Sequence, residues 1–368
     1  MLGTGVFVVW SPAADRAGRW MLLALGIAAV VAYCNATSTA QLAAVHPESG
    51  GAYVYGRLRL GRWWGTLAGS AFVVGKTASC AAAALAIGAY AWPDQARWVA
   101  VLAVVAATAV DLAGIAKTAT VTRVLVVLVL AVLAVAVGTA LVAGTDAAAP
   151  DVPSGDVGPA GVLAAAALFF FAFAGYARVA TLGAEVRDPA RTIPRAIVLA
   201  LGGVLVVYVV VGLALLHKLG IAGLTGTLTP LSAAVEGVAV AETVVRSGAA
   251  VAAFAVLLPL LAGVSRTVFA MASYGDLPSQ LTRVSGRGVP HLAQLVIAVA
   301  VLLVVLTGRL VGAVAVSAGA VLVYYAVANA AALRLSPQER LWPRGLAWLG
   351  LVGCITLGAS LLTERALM

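Results

Sequence analysis

Residues Leu168 to Ile197 read LFFFAFAGYARVATLGAEVRDPARTIPRAI. The stretch opens as an apolar helix and is interrupted at Ala174-Gly175-Tyr176. It then resumes and ends in a basic segment broken by Pro189 and Pro194. A purely structural span has no need of a glycine between aromatics at its middle, followed so soon by an arginine. Flexible and charged residues deep in a membrane are costly, so each needs a reason. The stretch predicts a discontinuous membrane helix that lines a binding site.

The surrounding chain has the composition such a helix requires. Of 368 residues, 63% are hydrophobic and 10% are charged, against about 25% charged in soluble domains. Apolar runs of about 20 residues recur from end to end, long enough to cross about 30 Å of hydrocarbon. The expected class is an all-α polytopic membrane protein. Continuous rather than alternating runs exclude a β-barrel. The net charge of +9 sits in short loops between spans and marks topology rather than nucleic-acid binding. Cys34, Cys80 and Cys354 lie in apolar segments and read as small buried hydrophobes. No metal site, cofactor or disulfide framework is expected. Met1 is followed directly by LGTGVFVVW with no basic segment before it, which argues against a signal peptide.

The spans are read as a short one at residues 2–10 and full ones at about 20–45, 62–91, 96–115 and 119–143. The interrupted span follows at about 160–185, then spans at about 194–216, 248–275, 290–307, 309–333 and 344–362. With the N-terminus cytoplasmic, fourteen of the 23 Lys and Arg residues fall in inside loops and seven outside. That asymmetry follows the positive-inside rule and supports a multi-pass protein of the cell membrane in this orientation. Residues 217–247 are too polar to span. Leu231, Val235, Val238 and Val245 recur at helical spacing against Glu236, Glu242 and Arg246. This predicts an amphipathic helix, either on the outer membrane surface or packed on the protein.

A second glycine motif, Gly3-Thr4-Gly5, lies in the first, truncated span. If each repeat has five spans, spans one and six are equivalent and run in opposite directions. Transporters with inverted repeats place broken helices at such matching positions, and the exposed helix ends there hold substrate. The free N–H groups at Gly3, Thr4 and Gly5 suit a carboxylate. The unwound carbonyls before Gly175 suit an ammonium group. Taken singly, Gly3-Thr4-Gly5 is equally a helix-packing motif, and Gly175 equally a kink. No dinucleotide fingerprint is present, because position 8 is Val and no strand precedes it.

Four segments together resemble the amino acid–polyamine–organocation permeases. They are Gly3-Thr4-Gly5-Val6-Phe7, Pro47-Glu48-Ser49-Gly50-Gly51-Ala52-Tyr53-Val54-Tyr55, Phe171-Ala172-Phe173-Ala174-Gly175-Tyr176, and Glu185 to Arg195, reading EVRDPARTIPR. The resemblance covers nearly the whole chain. It implies a single permease domain over residues 1–368 with the leucine-transporter-type 5+5 inverted repeat and broken helices 1 and 6. Repeat one would cover about residues 1–143, repeat two about 160–333, and an extra span about 344–362. It also implies amino acids or related amines as substrates, with Gly3, Thr4 and Gly5 at the carboxylate and Phe173, Ala174 and Gly175 at the amine. Two departures stand out: family members carry a tail and a first half-helix before the glycine motif, and usually twelve spans. The simplest expectation is an internal methionine taken as the start, with the first half-helix missing.

Several charged and aromatic residues are candidates for the working parts. Lys76 lies mid-span in SAFVVGKTASC. A desolvated ammonium is costly to keep charged, so Lys76 is either a proton carrier in coupling or a structural lysine paired with a carboxylate or carbonyls. Protons are therefore a candidate coupling partner. Arg123, early in the fifth span, is either a fixed charge standing in place of an ion or an anchor at the membrane edge. Arg178 either faces the cavity or pairs with Glu185, for which a gating or structural role is expected. Asp111 reads as a helix cap or a partner for Lys117. Phe170 and Phe173 share a helix face and are the aromatics placed to close over a substrate, and Tyr176 is a further substrate-binding candidate.

The class that follows is a secondary active transporter, a symporter or exchanger working by alternating access. The alternative is a transport-like receptor that binds amino acids without moving them. An enzyme is not expected: no HExxH, GxSxG or phosphate loop is present.

Overall fold

The computed structural model describes residues 2–46, 50–114, 119–144, 158–176, 189–286 and 288–367. All regular structure among them is helical, with no strand. The chain begins with α1 (Gly5–Val8) and α2 (Trp10–Ala17). Only Val9 separates them, and its N–H still bonds the Gly5 carbonyl. The first helix thus runs past Trp10, where the sequence reading ended it. Ser11-Pro12 resembles a break, yet a proline in the first turn of a helix removes an N–H that would have little use there. Gly18, at φ 49°, ends the segment in the left-handed region. A 3₁₀ turn then leads into α3 (Met21–Val45).

Next come α4 (Ala52–Arg59), α5 (Arg62–Ala91), α6 (Ala96–Leu112), α7 (Ala119–Val142) and α8 (Pro159–Phe173). The second half holds α9 (Pro189–Thr225), α10 (Pro230–Ala233), α11 (Ala239–Ser273), α12 (His291–Thr307), α13 (Leu310–Ala332) and α14 (Arg344–Leu367). Eight helical stretches among the described residues are long and apolar enough to cross a membrane, the first joining α2 to α3. The apolar helices α8 and α12 are shorter, at 15 and 17 residues. These elements follow the expected spans closely, and α4 is an addition in what reads as a loop.

The core is organised on α5, which packs against α13, α11, α6 and α4. Its sequence explains the central place. From Gly75 to Gly88 the buried positions are almost all Ala, Gly, Ser, Thr or Cys. Small side chains let helix backbones approach closely where lipid offers no hydrophobic drive. At Gly75 an added Cβ would lie 2.8 Å from Val321 and 3.3 Å from the Ser317 carbonyl, so the close approach to α13 requires glycine there. One turn on, Ser79 Oγ bonds Ser317 Oγ at 2.6 Å across the same interface.

Residues 230–247 form two helical pieces rather than one amphipathic helix of their own. α10 is one turn long, and Ala239 opens α11, which continues without a break to Ser273. Leu231, Val235 and Val245 are buried in the protein. Arg246 donates to the Tyr90 carbonyl at 3.0 Å. Three of the four apolar positions therefore face the bundle, as in the second of the two readings given above, while Val238 is exposed. Spacing alone cannot distinguish a protein face from a lipid face, because both reward the same apolar positions.

Candidate functional site

The two glycine motifs meet. An added Cβ on Gly5 would lie 2.6 Å from the Ala172 Cα and 2.7 Å from its Cβ, so the backbone of the first helix sits directly against Ala172 of α8. Gly3 lies just as close to Val256 of α11, whose Cγ2 would be 2.8 Å from its Cβ. Between them, Thr4 is 3% exposed, and its hydroxyl has no hydrogen-bond partner among the described residues.

α8 ends at Phe173, and a 3₁₀ turn covers Ala174 to Tyr176. Helix ends leave carbonyls without intrahelical partners. Side chains from other helices take two of those at this end. Tyr208 of α9 donates its hydroxyl to the Ala172 carbonyl at 3.1 Å. Lys76 of α5, 8% exposed, donates its Nζ to the Ala174 carbonyl at 3.3 Å. A lysine at a helix C-terminus also meets the negative end of the helix dipole. Among the described residues the polar partner of the mid-span lysine is thus the carbonyl end of α8.

Aromatic rings enclose this junction. Trp10 packs edge-on against Phe169 and Tyr208, with centroids at 5.3 and 6.2 Å. Phe173 packs on Tyr208 at 5.1 Å, while Phe170 packs on Tyr325 of α13 at 5.6 Å. Phe170 and Phe173 are both fully buried but turn to different neighbours. On the opposite wall, Tyr90 donates its hydroxyl to the Phe7 carbonyl at 2.7 Å, and its ring sits edge-on to Phe7.

The arrangement is a pair of glycine-bearing helix ends in contact, a buried lysine on one of them, and an aromatic collar. The profile of the amino acid permease family matches residues 1–363. The chain belongs to that family. An uncharacterized transporter of Mycobacterium tuberculosis is 53% identical over 365 residues, which is 98% of this chain and 83% of the relative. A branched-chain amino acid permease of Bacillus subtilis is 32% identical over 130 residues, 35% of this chain and 28% of its own length. A vacuolar cationic amino acid transporter of Arabidopsis thaliana is 28% identical over 317 residues, 78% of this chain and 52% of its own. The permease is accordingly a multi-span membrane transporter of the amino acid–polyamine–organocation superfamily.

Other residues singled out from the sequence lie apart from this junction or outside the described part of the permease. Arg123 is exposed near the start of α7. Arg178 and Glu185 are not among the described residues, nor is the Tyr176 side chain. Asp111 accepts a hydrogen bond from Gln294 Nε2 of α12 at 3.2 Å, while Lys117 lies outside the described residues.

Sequence reasoning missed a polar cluster at the end of the permease that carries Arg57, Arg59 and Arg62. Asp276, just after α11, has a side chain only 1% exposed. It accepts hydrogen bonds from Tyr53 at 2.8 Å, Arg57 at 2.9 Å, Arg62 at 3.0 Å and Thr66 at 3.1 Å. Burial alone would raise its pKa. The four donors outweigh that and hold the carboxyl below its ordinary value. Beside it, Arg59 forms a two-pronged pair with Glu339 at 2.6 and 3.2 Å and also donates to His46. The Arg59 bonds and the Ser336 N–H push Glu339 down to about 2. The only sequence signal for this cluster was the density of arginines between residues 57 and 62.

Proposed function

We propose that the permease is a secondary active transporter of amino acids or related amines in the cell membrane, a symporter or exchanger that alternates access around the junction of α1 and α8. The observation that carries this reading is the meeting of Gly5 with Ala172, with Lys76 on the Ala174 carbonyl two residues further on. In this reading Gly3, Thr4 and Gly5 receive the substrate carboxylate, and the unpartnered Thr4 hydroxyl adds a donor beside them. Phe173, Ala174 and Gly175 receive the amine at the free end of α8, with Phe170 and Tyr176 as flanking aromatics. The 5+5 inverted repeat, with its broken helices 1 and 6 and a cytoplasmic N-terminus, belongs to the same proposal. Lys76, Arg123, Arg178 and Glu185 are its candidate coupling or gating groups, with protons as the candidate coupling ion.

The deciding experiment is counterflow in proteoliposomes. Vesicles loaded with an unlabelled amino acid should accumulate the same labelled amino acid against its gradient. Binding without counterflow would refute transport. A pH dependence of uptake that survives Lys76→Met would remove that residue from the coupling step.

A further inference from the structure

We infer that Lys76 is a specificity-determining residue of this site. Its charge on the Ala174 carbonyl makes the site select ligands with an additional carboxylate, the acidic amino acids, over dibasic amino acids and polyamines. This rests on the transporter reading above and narrows it to a substrate class.

Two observations support it. The first is that no acidic side chain pairs with Lys76 among the described residues. Lys76 is 8% exposed, and the one polar partner it has among the described residues is an uncharged carbonyl. The described charged residues buried as whole residues are Lys76 and Lys218, and the buried Asp276 side chain is taken up by Tyr53, Arg57, Arg62 and Thr66. The nearest hydroxyl on its own face, Ser79, is already engaged with the Gly75 carbonyl and Ser317. A buried ammonium with only a neutral partner leaves its desolvation largely unbalanced, and a ligand carboxylate is the group that would complete the pair.

The second is position. The carbonyl Lys76 occupies is at the end of α8, where helix carbonyls are free to accept. It is therefore an oxygen that the ammonium of an incoming ligand would also seek. A ligand bringing one ammonium must share that oxygen with Lys76 or displace it. A ligand bringing two ammonium groups adds a like charge in desolvated surroundings, an arrangement that strongly disfavours wrong partners. A side-chain carboxylate relieves the conflict, since the displaced Lys76 can turn to it. The ranking that follows is acidic first, neutral next, dibasic and polyamine last.

The test uses the full chain in liposomes, with labelled glutamate, aspartate, leucine, arginine and putrescine, and with wild type, Lys76→Met, Lys76→Arg and Glu185→Gln. Wild type should take up glutamate or aspartate at least about tenfold better than arginine or putrescine, a ratio one like-charge contact readily supplies. Whatever it does to the overall rate, Lys76→Met should lower the ratio of acidic-substrate to leucine uptake about tenfold or more, so that the order inverts. Lys76→Arg should keep the acidic preference. Should Lys76→Met fail to fold, competition of unlabelled acidic against dibasic amino acids on wild type still decides the ranking. Preference of wild type for arginine or putrescine would overturn the inference and leave transport standing. So would an equal loss on every substrate in Lys76→Met, which marks a structural lysine. The same switch in Glu185→Gln would overturn it too, by placing the counter-ion in the chain. Absence of counterflow with any substrate would bring down the transporter reading, and this inference with it.

Discussion

The Tyr208 hydroxyl lies 3.1 Å from the Ala172 carbonyl oxygen, two residues before the carbonyl that receives Lys76. Helices α9 and α5 thus each place one donor on the C-terminal end of α8, which is held from two sides. The same tyrosine ring stacks edge-on with Trp10 and Phe173, which ties its position to the first helix as well.

Tyr208→Phe keeps the ring and removes only the hydroxyl. It should lower stability by about 1 kcal/mol, the usual worth of one buried hydrogen bond, and weaken substrate binding by loosening the end of α8. Thermal unfolding and a binding titration on the purified variant check this. An unchanged unfolding midpoint together with unchanged affinity would show that the hydroxyl does not hold the junction.

Gly5→Val should be far more damaging than its size change suggests. Even a single added carbon would press on the Ala172 Cα and Cβ, and backbone cannot rotate aside as a side chain can. Overpacking of this kind costs about 1–3 kcal/mol. Stability in detergent should fall by that amount and transport should be lost. Wild-type stability would mean that the helices can separate without penalty.

Gly175→Leu tests the other motif. Gly175 is exposed in the 3₁₀ turn after α8, so a larger side chain has room and the protein should insert and fold normally. Substrate binding should nevertheless be abolished. Unchanged affinity in a thermal-shift titration would move the amine site elsewhere.

Acid should weaken the cluster around Asp276. The folded-state carboxyl is held below its ordinary value. The stability it contributes is therefore fully present above the unfolded value near about 4 and is lost as pH falls through the lower folded value. Wild type should show a flat unfolding midpoint from about pH 5 to 7 and a falling one below about pH 4. Asp276→Asn should remove much of that acid sensitivity and cost about 2–3 kcal/mol at neutral pH. That figure is below the full cost of breaking a buried pair, because Arg62 is 66% exposed. Glu339→Gln, at the more open Arg59 pair, should have a smaller effect that salt suppresses. Equal effects from the two substitutions would refute the distinction.

Much of this was readable from the residues. The span read at 62–91 is α5 (Arg62–Ala91) to the residue, because an apolar run bounded by Gly61 and by Trp92-Pro93 has sharp chemical edges. That Lys76 needs a polar partner was readable, because a charge at mid-span is costly to leave unpaired. Its partner was not, since Ala174 lies 98 positions along the chain and contributes only a main-chain oxygen, which every residue possesses. Tyr208 and Tyr90 escaped notice for a related cause. A tyrosine in an apolar helix looks like bulk, and its polar tip acquires meaning only when a free carbonyl is opposite. Asp276 was missed because its four donors come from α4 and α5, and spacing gives no hint that these meet the end of α11.

The place where Gly5 meets Ala172 has a mechanical consequence. A joint made of two main chains has no rotamers to change and no side chain to slide, so it has very few alternative states of similar energy. In the alternating-access reading proposed above, the first helix and α8 would turn together. Any path that opens to one side of the membrane has to open where side chains line the seam. The aromatic collar of Trp10, Phe173 and Tyr208 is such a seam. The glycine contact would then be the axle, and the rings around it the parts that move.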